Sequence, residues 1–133
     1  MNYEYDLYHK DIFFPQQFKL SHLNVFVSNN VRLSKHLIHH IEYNDYKHKL
    51  SEEIIFNAYN DICNNINILC PFEIGYDKKT KKLVKAVYRV SINSYQDISV
   101  VLCKKANEIT IVTAWLNHKN DTHKTLNEKL YIR

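Results

Sequence analysis

Val84-Lys85-Ala86-Val87-Tyr88-Arg89-Val90-Ser91-Ile92 alternates large apolar residues with a second set that includes Lys85, Arg89 and Ser91. Period two is the mark of a strand with two different faces. Two apolar runs follow, Ile98–Cys103 and Ile109–Leu116, both rich in β-branched residues. Asn93–Gln96 and Lys104-Lys105-Ala106-Asn107 separate them with turn composition. Consecutive strands joined by short turns usually pair, so the three runs predict an antiparallel meander. Phe72–Tyr76 adds a short strand ahead of them, followed by the polar turn Asp77-Lys78-Lys79-Thr80-Lys81-Lys82.

Upstream the period lengthens. Ser51 precedes Glu52 and Glu53, and Ile54, Ile55, Ala58, Tyr59, Ile62, Cys63 and Ile66 recur at helical spacing. A serine cap and first-turn acids start a helix there, and Pro71 limits its extent. Leu33, Leu37 and Ile41 predict another helix over roughly 31–42, with Ser28-Asn29-Asn30 as its start. Residues 1–27 carry Phe13, Phe14, Phe18 and Phe26 without clear periodicity. The expected fold class is α+β, a single domain over 1–133 with N-terminal helices packed on a C-terminal antiparallel sheet.

Composition narrows the chemistry. The chain has 133 residues, 45% hydrophobic and 24% charged, as in an ordinary globular domain. One glycine, Gly75, excludes glycine-rich phosphate loops and dinucleotide fingerprints. No apolar run reaches the ~18 residues of a membrane span. The three cysteines, Cys63, Cys70 and Cys103, show no CxxC spacing. With the polar start Met1–Asp6, they point to a reducing cytoplasm and no membrane. Residues 77–133 hold 12 lysines and arginines against 5 carboxylates, a balance of +7, whereas residues 1–76 balance at −3. A basic half is the electrostatic footprint of a polyanion binder, though a solvated lysine surface gives the same count.

His36 and His40 stand i, i+4, a spacing able to hold zinc, but the glutamate of HExxH is missing and no third ligand accompanies them, so neither metal nor other cofactor is expected. Arg89 shares its strand face with Lys85, Val87 and Ser91, which makes it either a solvated arginine or a phosphate clamp. Thr113 is expected to share a face with Ile109, Ile111 and Trp115. Asn117-His118-Lys119-Asn120-Asp121-Thr122-His123-Lys124-Thr125 gathers polar and titratable groups just after a strand, where loops often carry function.

This order of elements resembles the barnase/EndoU/colicin/RelE-type family of small ribonuclease toxins. The resemblance rests on His40-Ile41, the helix start Ser51-Glu52-Glu53-Ile54, Arg89 in a strand, and Ile111-Val112-Thr113-Ala114-Trp115 closing the sheet, over about residues 36–118. It implies metal-independent endoribonuclease chemistry on RNA, transfer RNA being one candidate, with attack by the 2′-hydroxyl. It assigns His40 or His36 to acid–base work, Arg89 to the phosphate charge, Thr113 to positioning, and His123 or His118 to the second proton role. Lys85, Asn117, His118 and Thr125 would contact RNA. A cognate antitoxin or immunity protein would be the partner. The contrasting expectation is a non-catalytic phage- or bacterium-encoded binding or inhibitor protein. It would use the same basic sheet face for nucleic acid or an acidic protein surface.

Overall fold

A computed structural model describes residues 12–13, 19–43 and 50–120. A six-stranded sheet runs in the order β1-β3-β4-β5-β6-β2. Its strands are β1 (Ile12–Phe13), β2 (Val31–Leu33), β3 (Glu73–Asp77), β4 (Leu83–Ser91), β5 (Gln96–Lys105) and β6 (Glu108–His118). The expected meander is present from β3 to β6, all antiparallel. The sheet as a whole is mixed, because β2 pairs parallel with β6, Val31 opposite Ile109 and Leu33 opposite Ile111.

That pairing corrects the expected helix over 31–42. Val31–Leu33 is a strand, and helix α1 (Lys35–Tyr43) starts later. Ser34, not Ser28-Asn29-Asn30, caps it: Ser34 Oγ accepts from Leu37 N at 2.9 Å and donates to the Val112 carbonyl at 2.6 Å. Helix α2 (Glu52–Asn64) begins where its sequence indicates, with Ser51 Oγ accepting from Ile54 N. A 3₁₀ helix, Leu20–Phe26, sends Leu23 and Phe26 into the core.

The core lies between these helices and one sheet face. Leu37, Ile55, Tyr59 and Ile62 meet Ala86, Tyr88, Val90, Ile98, Val100, Leu102, Ile109 and Ile111. The opposite face has its own small cluster of Val87, Val101, Cys103 and Val112, with Trp115 packed against it. β6 contributes to both through a bulge. Val101 faces Thr113 but Leu102 faces Ile111, so Val112 is the extra residue. This corrects the expected side-chain parity: Ile109 and Ile111 face the helices, whereas Thr113 and Trp115 pair with Val101 and Ser99 on the other side.

Candidate functional site

The sheet face away from the described helices carries four of the nine residues predicted from the sequence, Lys85, Arg89, Thr113 and Asn117. Across β4, β5 and β6, Arg89, Ser99 and Trp115 form one row, and Val87, Val101 and Thr113 form the next. Ser91, Asp97 and Asn117 form a third row toward the β4–β5 turn. Lys85 lies two residues from Val87, opposite Cys103. Arg89 and Thr113 are thus separated by two strand spacings and one two-residue step, a Cα distance of about 12 Å.

Polar side chains are held tightly here. Arg89 Nε donates to Asp97 Oδ2 at 2.9 Å, with only 8% of the arginine side chain exposed. Arg89 Nη2 donates to the carbonyls of His118 at 3.0 Å and Lys119 at 3.5 Å. Lys119 Nζ lies 3.7 Å from Asp97 Oδ1 and donates to Ser91 Oγ and the Asn93 carbonyl. Two cations therefore share one carboxylate, and this trio keeps a net positive charge. Ser99 Oγ donates to Asn117 Oδ1 at 2.6 Å within the buried layer. Lys85 Nζ pairs with Glu73 Oε1 at 3.3 Å.

Burial shapes the chemistry of the thiol on this face. Desolvation pushes the Cys103 thiol up to about 12, against a smaller opposite pull from Lys85. Cys103 is thereby a neutral packing group, not a nucleophile. On the helix side, desolvation raises Tyr59 and Tyr88 above the ordinary phenol range.

Among the described residues, the histidine side chains do not converge on Arg89. His36 and His40 are exposed on α1, whose Leu37 enters the helix-side core. They therefore belong to the opposite side of the sheet from Arg89 and Thr113. His118 follows Asn117 at the end of β6, and its exposed side chain starts from the face opposite Asn117. Its carbonyl, not its ring, reaches Arg89. His118 Nδ1 accepts from Asn120 N at 3.3 Å, which favours the tautomer with the proton on Nε2. His123 and Thr125 lie outside the described residues.

Asp97 is a residue of this face that sequence reasoning missed, and Lys119 was singled out only as part of the segment after β6. The signal lay in the turn: a hairpin pairing Ser91 with Asp97 puts Asp97 diagonal to Arg89 on the same face. No group of three or more histidine, cysteine or acidic side chains able to hold a metal occurs among the described residues. Among those residues no helix is long and apolar enough to cross a membrane. Compared with known proteins, the chain matches no family model, no curated protein and no solved structure.

Proposed function

We propose that this chain is a small metal-independent endoribonuclease of the toxin type, acting on RNA at the sheet face opposite the described helices. The observation that carries the proposal is the shared face of Arg89 and Thr113, with a fixed guanidinium at one side and a β-bulge beside the threonine. Cleavage by the 2′-hydroxyl builds negative charge on a pentacoordinate phosphorus. A cation and a hydroxyl donor that need not reorganise stabilise it best. Asp97 and two carbonyls fix the Arg89 fork, and Lys119 keeps the local charge positive.

Thr113 is half-buried, two strands from Arg89, where its hydroxyl would donate to a phosphate oxygen. Trp115, also half-buried, lies in the same row as Arg89 and is the aromatic group on which a base would stack. Proton transfer falls to His123, farther along the same segment, because the His118 ring starts from the face opposite Asn117. His36 and His40 have no part in this version of the site. RNA is the substrate, and a cognate antitoxin or immunity protein covering this face is the expected partner.

The test is the product end group. Incubation with RNA in EDTA should leave 2′,3′-cyclic phosphates, and Thr113→Val should slow their release by about tenfold, the value of one hydrogen bond to a charged group. Products with 3′-hydroxyl ends would exclude 2′-hydroxyl attack.

One observation favours a second reading. Asp97 already occupies Arg89 Nε, which suits a face that binds nucleic acid or an acidic protein without turning it over. Salt-sensitive retention of intact RNA would select that binding or inhibitor function.

A further inference from the structure

The topology brings together two groups of lysines, four in residues 78–82 and two at 104–105, that are separate in the sequence. β3 and β5 run one way and β4 and β6 the other, so the β3–β4 and β5–β6 turns emerge at the same end of the sheet. The first turn carries Lys78, Lys79, Lys81 and Lys82, all exposed. The second is flanked by Lys104 and Lys105. Their centres are two strand spacings apart, about 10 Å. The segment before β2 joins the same end, since Ser28 Oγ donates to the Asn107 carbonyl and Ile109 N to that of Asn30.

Two carboxylates, Asp77 and Glu108, lie at this end among the described residues. Asp77 is buried and holds the first turn together, its Oδ1 accepting from Lys79 N at 2.7 Å and Thr80 N at 3.1 Å. Glu108 is taken by Arg32 at 2.7 Å. Exposed Thr80, Asn29, Asn30 and Asn107 add neutral hydrogen-bonding groups among the cations. The exposed apolar pair Ile92 and Tyr95 lies at the opposite, β4–β5 end.

The geometry points to this lysine-bearing end as a binding surface for nucleic-acid phosphates, separate from the Arg89–Thr113 face. Lysines with neutral donors are the composition of a phosphate-backbone contact. Cores of protein–protein interfaces are, by contrast, depleted in lysine. Lys82 lies seven residues along β4 from Arg89, about 23 Å, the rise of roughly seven base pairs of one duplex. One nucleic acid can therefore lie across both surfaces, held at the turns by charge and presented at Arg89. The inference stands whether or not the chain cleaves RNA.

The test is anisotropy of a labelled 2′-O-methyl RNA duplex, which lacks the attacking hydroxyl and so reports binding alone. The native chain should bind with a log–log salt slope of about −4, as ~4–5 phosphate contacts give. Replacing Lys78, Lys79, Lys81 and Lys82 by glutamine should flatten the slope by about one unit per lysine actually engaged and weaken binding at least tenfold at low salt. Adding Lys104→Gln and Lys105→Gln should weaken it further. Circular dichroism checks that each variant is folded. Equal binding by the native and six-glutamine proteins would overturn the inference, as would no binding at low salt. Polyglutamate competing as well as nucleic acid would overturn the assignment to phosphates. None of these outcomes bears on the cleavage chemistry, which the end-group experiment decides separately.

Discussion

Arg89 and Asp97 face each other diagonally across the β4–β5 hairpin, Nε to Oδ2 at 2.9 Å, and Lys119 closes on the same carboxylate from the end of β6. One acid thus ties three segments together at the edge of the candidate site. Asp97→Asn keeps the shape but leaves two cations facing each other. It should lower stability by about 1–3 kcal/mol, the cost of stripping a half-buried charge pair of one partner. The urea midpoint measures this, and an unchanged midpoint would mean the pair contributes nothing to the fold.

Ser34 joins two structures with one hydroxyl, capping α1 and holding the carbonyl of the bulge residue Val112. Ser34→Ala should cost about 2–3 kcal/mol, since a cap and a buried carbonyl lose their partner together. Thermal unfolding reads the loss. A shift no larger than that of an exposed serine would show that the bulge does not depend on Ser34.

Much of this was legible in the sequence, and the failures have identifiable causes. Period two from Val84 onward located three strands and put Arg89, Lys85 and Val87 on one face. The Ser51 cap with Glu52 and Glu53 located α2. Val31–Leu33 misled because Leu33 does start an apolar stripe with Leu37, yet a parallel pairing with β6 overrides the local signal. Parity failed on β6 because a bulge reverses it, and no residue type near Val112 announces one. His36 and His40 were on one helix face as expected, but spacing alone does not say on which side of a sheet the helix packs.

With one glycine in the chain, two tight turns use other residues in the left-handed region: Lys81 at φ 61° and Ala106 at φ 54°. Ala106 holds the first central position of the two-residue β5–β6 turn, where glycine avoids the Cβ clash. Ala106→Gly should stabilise the chain by about 0.5–1 kcal/mol, after glycine's own entropy cost. A lower urea midpoint would contradict the strain.

Buried thiol and phenol groups set an alkaline limit on the fold. An ordinary thiol ionises near 9, whereas Cys103 in the folded chain holds its proton up to about 12. The unfolded chain therefore loses that proton first, and stability falls as pH rises from about 9 toward 12. Tyr59 and Tyr88 are raised as well and act in the same direction from about 10 upward. Urea midpoints at pH 8 and pH 10.5 should show the drop, and Cys103→Ala should make it shallower. A midpoint that rises with pH would contradict the burial of these groups.

RNA cleavage through Arg89, at the sheet face opposite the described helices, is open to a single assay. Purified protein and its Arg89→Lys variant are incubated with total RNA in EDTA, after circular dichroism shows both folded. Lysine keeps the charge but loses the planar fork. The account predicts discrete fragments from the native protein and a rate about 10²-fold lower for the variant. Intact RNA in both lanes, or equal cleavage in both, would contradict it.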